Sequence, residues 1–320
     1  MEFEFKQGKD YIELGDSFEV LKKLREDFKE NQFDEKPLLS RLYNKFSGEY
    51  FSPTFLKGFM QCPMKCFLNY FDKKETTPIL NLGSATHKVY ERIVGEKALT
   101  KSAQEAIANE EFKNFNLTPS QKSTYVKYIN NFIKFDNYDG IKLFSRDDIK
   151  YFPEYHMNEK NLNILNCDLG ACYTLLDRLD IKESKREINI VDYKTGRISD
   201  IGHIVESYTD QFITYYWLTS INFPGFDVNS YIYLPENNSF VKVDTEDIEK
   251  QSRYIDKIYD FYDFIHDCRE KNIFPAITNE YCKYCSQSER CNAYNKDKTT
   301  EIIRKEVEDD GLKENSTEKS

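Results

Sequence analysis

Two short apolar segments of this sequence carry charged residues where a protein core would be expected. Residues 171–181 are apolar and β-branched until Asp177 interrupts them, and residues 188–193 are apolar until Asp192. Glycines flank the pair and a charged stretch joins it, a pattern that predicts two β-strands in a hairpin. Alternate residues of a strand share a face, so Asp192 and Lys194 project together, and pairing would bring Asp177 beside them. Because charges seldom lie on core strands unless they are paired or bind a metal, the hairpin is a candidate site.

The composition limits the classes of protein to which the chain can belong. Its 320 residues are 39% hydrophobic and 31% charged, which fits one large or two smaller globular domains. The net charge of −10 argues against a broad basic nucleic-acid surface, although a cleft can be locally basic and a metal can add positive charge. No apolar run is long enough to cross a membrane, and the charged N-terminus is unlike a signal peptide. We therefore expect a cytoplasmic protein without a membrane partner.

Three of the eight cysteines lie close together near the C-terminal end of the sequence. Cys282, Cys285 and Cys291 have the spacing C-x2-C-x5-C, which lets one turn offer two thiolates to an ion or cluster. In a reducing compartment such a group indicates metal or cluster binding before disulfides. A fourth ligand must come from elsewhere, and Cys62 and Cys66 are the obvious sources. The spacing fits zinc as well as an iron–sulfur cluster.

Hydrophobic periodicity predicts alternating helices and strands along the chain. Ser52 and Pro53 are a typical helix cap and first-turn residue, and Leu82-Gly83 reads as a turn into a helix that carries His87 in its first turns. Further helices are predicted over residues 16–31, 101–138, 205–221 and 245–271. Further strands are predicted over residues 150–155, 162–167, 228–234 and 240–243, with Glu154 near the end of the first.

Polar residues on the predicted helices also have ordinary structural explanations. A single histidine on a helix, such as His87, is more often structural than a ligand. Gln211 and Tyr215 are four residues apart and share a helix face, as ordinary packing would also require. The sequence contains no GxxxxGK[ST] motif, so we predict no ATP site in this chain.

Taken in chain order, the motifs form a more specific series. A Ser-Pro helix ends at Cys62-Pro63, and a Gly-x-x-x-His element ends at His87. Leu-Asp-Arg-Leu-Asp and Asp-Tyr-Lys-Thr-Gly follow on two strands, before Gln-x-x-x-Tyr and the three cysteines. Over residues 50–292 this series resembles the PD-(D/E)xK nuclease superfamily. More narrowly, it resembles the iron–sulfur branch: the AddB-type nuclease domain, the CRISPR-adaptation nucleases and the exonuclease V group.

The resemblance implies a fold and a set of domains. The fold would be α/β: a restriction-endonuclease-like core with a central mixed β-sheet flanked by helices, plus helical insertions and a cysteine-clamped flap. The nuclease domain would span residues 51–295, with a helical insertion at about 88–145 and the cysteine cluster at 282–291. Residues 1–50 would be an N-terminal lead-in of uncertain role, and the charged residues 296–320 a disordered tail.

The resemblance also implies roles for the charged residues of the hairpin. His87, Asp177, Asp192 and the backbone carbonyl of Tyr193 would bind Mg²⁺ or Mn²⁺. Lys194 would position or deprotonate the attacking water. Asp180 lies three residues beyond Asp177, so in an extended strand it points to the opposite face, and we interpret it as structural.

Two further groups of residues receive roles from the resemblance. Gln211 and Tyr215 would form the accessory motif that supports the site and contacts DNA. Cys62, Cys282, Cys285 and Cys291 would hold a four-iron–four-sulfur cluster, with zinc as the alternative occupant. The Cys-Pro pair favours Cys62 over Cys66 by resemblance, and Cys66 lies one helical turn away.

The implied activity is metal-dependent hydrolysis of DNA phosphodiester bonds. An exonuclease acting on ends or single strands is expected, in DNA recombination, repair or processing, with a helicase or recombinase as a candidate partner. The alternative is a catalytically inactive subunit of nuclease fold that binds DNA or acts as a scaffold. A third hypothesis, a cluster-bearing redox protein, would need a second set of cofactor residues, which the sequence does not show.

Overall fold

The secondary structure was obtained from a computed structural model. It describes residues 6–7, 11–13, 50–71, 78–98, 100–137, 149–196, 200–271, 273–291 and 293–294. In this part of the chain the α-helices are α1 (Pro53–Gln61), α2 (Pro63–Phe71), α3 (Pro78–Gly95), α4 (Lys101–Phe112), α5 (Pro119–Asn137), α6 (Ile201–Asn222) and α7 (Ile248–Glu270). The strands are β1 (Lys6–Gln7), β2 (Tyr11–Glu13), β3 (Tyr50–Phe51), β4 (Lys150–Glu159), β5 (Asn163–Ile164), β6 (Cys167–Asp168), β7 (Ala171–Lys182), β8 (Glu187–Tyr193), β9 (Asp227–Leu234), β10 (Ser239–Val243) and β11 (Ile273–Pro275).

The chain divides into two structural units. One comprises residues 75–257, and the other comprises residues 1–74 together with 258–320. No helix in the described ranges is long and apolar enough to cross a membrane.

A mixed sheet organises the unit of residues 75–257. β10 pairs antiparallel with β9, β9 parallel with β8, β8 antiparallel with β7, and β7 antiparallel with β4. The parallel pair β8–β9 is connected by α6, the usual crossover for parallel neighbours. The predicted α/β fold with a central mixed sheet and flanking helices is confirmed.

An aromatic cluster attaches the helices of this unit to the sheet. Tyr90 of α3 stacks on Phe132 of α5 with ring centroids 3.8 Å apart. Tyr193, at the end of β8, meets the two rings edge-on at 4.8 and 5.7 Å. All three side chains are buried, and burying a large side chain stabilises a fold by roughly 1.5–3 kcal/mol. The end of β8 is therefore fixed by core packing.

The other unit contains α1, α2 and the C-terminal half of α7. As predicted, Pro53 opens α1 and the Ser52 side chain accepts a hydrogen bond from the Phe55 N–H at 3.3 Å. Phe55 and Phe59 pack edge-on against Phe261 of α7, with centroids 5.7 Å apart in both pairs. This apolar face explains why the segment is helical, because it repeats with the period of an α-helix.

The helical pattern predicted over 101–138 corresponds to two helices, α4 and α5, and Pro119 opens the second. Two other local predictions are corrected by the structure. Leu82-Gly83 is not a turn, since α3 begins at Pro78 and continues to Gly95. Residues 162–167 are not one strand, because Leu165 and Asn166 adopt positive φ values of 51° and 65° and make the turn between β5 and β6. The predicted helix at 16–31 and the tail at 296–320 lie outside the described residues.

Candidate nuclease centre and cysteine cavity

The β7–β8 hairpin brings the two candidate carboxylates together. Arg178 pairs with Val191, and this register puts Asp177 level with Asp192 on the neighbouring strand. The backbone N–H of Tyr193 donates to Asp177 Oδ2 at 2.8 Å. The Asp177 carboxylate is thus oriented by the backbone of the adjacent strand. Asp177 and Asp192 therefore lie side by side on paired strands, the arrangement that the hairpin predicts.

Lys194 follows directly after β8 and pairs with Asp192. Its Nζ lies 2.6 Å from Asp192 Oδ2, and only 3% of the Asp192 side chain is exposed. Burial raises the pKa of Asp192 to about 6, with a contribution from the negative charge of Asp177 and against the effect of Lys194. Burial by itself would lower the pKa of Lys194, but the two carboxylates raise it above its usual value. Lys194 is therefore an ammonium at neutral pH.

His87, in the middle of α3, lies beside Asp177. Its Nδ1 lies 3.5 Å from Asp177 Oδ1, and its ring meets Tyr193 edge-on at 5.8 Å. Burial would lower the pKa of His87, but the contact with Asp177 raises it above its usual value. Burial alone would raise the pKa of Asp177, but the contact with His87 and the charge of Lys194 lower it below its usual value.

The helix that carries His87 approaches the loop after β8 closely at Gly83. A Cβ at this glycine would lie 3.2 Å from Thr195 Oγ1, tighter than ordinary van der Waals contact. Gly83 and His87 are four residues apart on α3, so they lie on the same side of the helix. The glycine therefore belongs to the contact that positions the imidazole.

Side chains of α6 hold the Asp192 carboxylate by hydrogen bonds. Gln211 Nε2 donates to Asp192 Oδ1 at 3.2 Å and to the Tyr215 hydroxyl. The Tyr215 hydroxyl donates in turn to the Leu175 carbonyl of β7 at 3.2 Å. Tyr215 is buried, with 3% of its surface exposed. In this arrangement Gln211 orients the Asp192 carboxylate, and the buried Tyr215 hydroxyl links Gln211 to the backbone of β7.

Asp180 occupies the opposite face of β7. Arg178 Nε donates to Asp180 Oδ1 at 2.7 Å, and both side chains are buried. The Arg178 guanidinium also lies 4.9 Å from the centroid of the Tyr151 ring. The separation of Asp180 from Asp177, expected from strand geometry, is present in the structure.

Sequence reasoning did not assign two residues that lie near the centre. Tyr208 of α6 places its ring centroid 4.3 Å from Lys194 Nζ. It is three residues before Gln211, so helical spacing was a signal that could have identified it. Glu154 of β4 has a positive φ of 51° and lies between the pairs Pro153–Arg178 and Tyr155–Leu176, level with Asp177. Burial and the charge of Asp177 raise the pKa of Glu154.

The second candidate site is a cavity in the unit that contains α1 and α2. Four cysteines are among its lining residues: Cys62, Cys282, Cys285 and Cys291. The space between its walls is about 510 Å³, a volume that includes open solvent at its mouth. Cys66 is placed differently, because its Sγ lies against α1, 3.2 Å from where a Cβ on Gly58 would be.

Backbone N–H groups point at three of these sulfur atoms. Lys65 N–H donates to Cys62 Sγ at 3.5 Å, Asn279 N–H to Cys282 Sγ at 3.3 Å, and Gln287 N–H to Cys285 Sγ at 3.4 Å. Such bonds stabilise thiolates that bind a metal or cluster. Burial raises the pKa of the Cys285 thiol. The thiol therefore has to lose a proton before it can act as a ligand.

Side-chain hydrogen bonds attach the cysteine segment to α1 and α2. Asn69 Oδ1 accepts from Ser286 Oγ and from Gln287 Nε2, both at 3.0 Å. Asn279 Nδ2 donates to the Gln61 carbonyl at 3.3 Å. These contacts hold the segment that contains Cys62 close to the segment that contains Cys282, Cys285 and Cys291.

Neither site is a preassembled metal cage. Among the residues that the structure describes, no three His, Cys, Asp or Glu side chains are already arranged as ligands around a metal position. The donor types nevertheless separate the two sites. The carboxylates of Asp177 and Asp192 suit a hard divalent ion, whereas four thiols around one cavity suit zinc or an iron–sulfur cluster.

Comparison with known proteins assigns the family. None of the curated proteins matches the chain significantly. Among solved structures, that of a "Putative exonuclease" from Eubacterium rectale is 14% identical with a TM-score of 0.47, and covers 79% of this chain and 93% of its own. The structure of SSO0001 is also 14% identical, with a TM-score of 0.34, and covers 85% of this chain and 95% of its own. The family model of the PD-(D/E)XK nuclease superfamily matches residues 50–292, and the chain therefore belongs to that superfamily.

Proposed function

We propose that the protein is a DNA nuclease that requires Mg²⁺ or Mn²⁺ and hydrolyses phosphodiester bonds. The observation that carries this proposal is the convergence of Asp177, Asp192 and Lys194 at one end of the β7–β8 hairpin in a chain of this superfamily. The resemblance further supports an exonuclease acting on ends or single strands, in recombination, repair or processing of DNA. A helicase or recombinase partner and a cytoplasmic location rest on the sequence alone.

His87, Asp177, Asp192 and the Tyr193 carbonyl are the groups that would hold the divalent ion. When bound, the ion supplies an activated water and positive charge at the scissile phosphate. The Tyr193 N–H and Gln211 each orient one carboxylate by a hydrogen bond. Orientation by neighbours of this kind typically contributes tenfold to a hundredfold in metal affinity or activity.

Lys194 is proposed to position the water and to stabilise negative charge on the phosphate. Its raised pKa, which results from the carboxylates and outweighs burial, keeps a proton on the amine near neutral pH. A protonated amine donates hydrogen bonds and attracts an anion, but it cannot accept a proton. In the ion-free protein this charge suits electrostatic stabilisation, and deprotonation of the water is the other role that the resemblance implies.

The test of this function is a comparison of two lysine variants. The wild-type protein should degrade DNA with Mg²⁺ or Mn²⁺, and Lys194→Ala should lose activity by about a hundredfold or more while its circular dichroism is unchanged. Lys150→Ala is the matched control, because Lys150 is exposed and pairs with Glu183 on the surface. Equal activity in the Lys194→Ala and wild-type proteins would refute the assignment.

The choice of DNA substrates also separates the two main alternatives. Single- and double-stranded DNA with blocked 5′ or 3′ ends would reveal polarity and strand preference. A wild-type protein that binds these substrates but cleaves none of them would favour the inactive DNA-binding subunit.

We also propose that Cys62, Cys282, Cys285 and Cys291 hold a four-iron–four-sulfur cluster. Their shared cavity and the N–H groups directed at three sulfur atoms support a bound inorganic group, and the resemblance favours iron–sulfur over zinc. Anaerobic purification should give a coloured protein with equal iron and sulfide. A colourless protein with one zinc would replace this proposal by the zinc alternative.

The fourth ligand and the domain limits can be tested on the same preparations. Cys62→Ala should lose the inorganic group, whereas Cys66→Ala should retain it, because Cys66 Sγ packs against Gly58. The opposite result would make Cys66 the ligand. We retain residues 51–295 as the proposed nuclease domain, with the insertion at about 88–145, the lead-in at 1–50 and the tail at 296–320.

A further inference from the structure

Lys194 is contacted on two sides by groups that attract a cation. Asp192 Oδ2 lies 2.6 Å from its Nζ, and the ring centroid of Tyr208 lies 4.3 Å from the same atom. The face of an aromatic ring carries partial negative charge, and an ammonium within about 6 Å of its centroid is attracted to it. Only 21% of the Lys194 side chain is exposed. The ammonium is therefore confined between a carboxylate and an aromatic face.

Helix α6 places Tyr208 in line with the residues that support Asp192. Tyr208, Gln211 and Tyr215 follow one another at spacings of three and four residues, so they share one side of the helix. Gln211 contacts Asp192, and Tyr208 contacts Lys194. One helix face thus holds both members of the Asp192–Lys194 pair.

Lys194 needs such a restraint more than Asp192 does. A lysine side chain is long and flexible, with a charge that rotates freely at its end. If Asp192 bound a divalent ion, the ion would partly neutralise the carboxylate, which would then attract the ammonium less strongly. The Tyr208 ring contact does not depend on the carboxylate, so it can keep the ammonium in place when the ion is bound.

We propose that Tyr208 is a positioning residue that holds the Lys194 ammonium beside the reacting phosphate through a cation–π contact. This inference rests on the proposed nuclease function and specifies how its cationic residue is kept in place. The ring supplies the contact, and the hydroxyl is not required for it.

The experiment compares two substitutions at this position. Tyr208→Leu removes the ring and should lower kcat by between about twofold and thirtyfold, the range that corresponds to a cation–π contact, with little change in KM. Tyr208→Phe keeps the ring and should restore kcat to within about twofold of the wild-type value. Tyr216→Leu, the same change two turns further along α6, is the matched control.

Several outcomes would overturn the proposal. An effect of Tyr208→Leu on KM alone would mean that the ring contacts DNA. Equal losses in Tyr208→Phe and Tyr208→Leu would assign the effect to the hydroxyl. An unchanged kcat in Tyr208→Leu would remove the role altogether.

A measurement without substrate keeps the proposal testable apart from catalysis. Unfolding midpoints in denaturant are compared for Tyr208→Leu, Lys194→Met and the double variant. If the two side chains interact, the double variant should lose less stability than the two single losses added together. Additive losses would refute the contact.

If wild-type protein cleaves DNA and Lys194→Ala does not, a negative result at Tyr208 affects this inference alone. If Lys194→Ala retains activity, the proposed function fails first.

Discussion

The candidate nuclease centre, formed by His87, Asp177, Asp192 and Lys194, and the cysteine cavity are built in opposite ways. Asp177 and Asp192 lie on neighbouring strands, and the protein already provides partners for both in Tyr193, Lys194 and Gln211. The cysteines lie at a helix junction and in short 3-10 turns, with their side chains partly exposed. Regular elements can hold charged groups in place before an ion arrives. Irregular segments with few packed side chains would depend on a bound inorganic group for their geometry.

This difference predicts that damage at the two sites will have different consequences. A change at the nuclease centre should affect the reaction and leave the fold intact, because β7 and β8 are held by their ladder and by the core. A change at the cysteine cavity should affect the fold of residues 276–291 before it affects any chemistry. The predictions below test this contrast, from the largest expected effect to the smallest.

The first prediction uses two aspartates on opposite faces of β7. Asp177→Asn should lower nuclease activity by about a thousandfold with little change in stability, because it removes a charge that faces the proposed ion. Asp180→Ala should instead lower the free energy of unfolding by about 3 kcal/mol, because it leaves the buried Arg178 guanidinium without its carboxylate. Nuclease assays and denaturant unfolding on both variants measure the two effects. A large activity loss in folded Asp180→Ala, or a large stability loss in Asp177→Asn, would break the contrast.

The second prediction concerns removal of the inorganic groups. EDTA should abolish activity but leave the thermal midpoint almost unchanged, since the nuclease centre has its own internal partners. Oxidative removal of the proposed cluster should lower the midpoint by about 10 °C, equivalent to roughly 3 kcal/mol, and should expose residues 276–291 to protease. Scanning calorimetry and limited proteolysis measure these changes. Protection of this segment after cluster loss would mean that Asn69 and Asn279 hold it unaided.

The third prediction concerns the pH dependence of ion binding at the nuclease centre. In the ion-free protein, burial raises the pKa of Asp192 to about 6, and contact with Asp177 raises the pKa of His87. Both groups must lose a proton to act as ligands, so affinity for Mn²⁺ should rise with pH through this range and fall below it. The change should reach about tenfold per pH unit for each proton released. Titration calorimetry in two buffers of different ionisation enthalpy counts the protons, and an affinity independent of pH would contradict the prediction.

The central features of the fold were predictable because their patterns are local. The β7–β8 hairpin follows from two apolar segments that are flanked by glycines and joined by a charged stretch. The Asp177–Asp180 separation follows from the two-residue period of a strand. The Ser52 cap follows from the chemistry of a helix start. These features depend on residues that are close in the sequence.

The features that were missed depend on packing between distant segments. Gly83 suggested a turn, yet its lack of a side chain serves a close contact between α3 and Thr195. Tyr208 reaches Lys194 only once α6 lies against the sheet, and Glu154 comes level with Asp177 only in the β4–β7 register. The placement of Cys66 against Gly58 is likewise a tertiary contact. Helical spacing puts Tyr208 on the same helix face as Gln211, but it does not show which residue that face contacts.

The glycine in α3 has a further consequence for how this protein can change. A methyl group at Gly83 would lie 3.2 Å from Thr195 Oγ1, so either the helix or the loop would have to move by a few tenths of an ångström. His87 lies one turn further on the same side of α3 and would move with the helix. The position of the His87 imidazole therefore depends on the absence of a Cβ at Gly83. Gly83 can therefore affect the position of a candidate metal ligand although it has no functional group of its own.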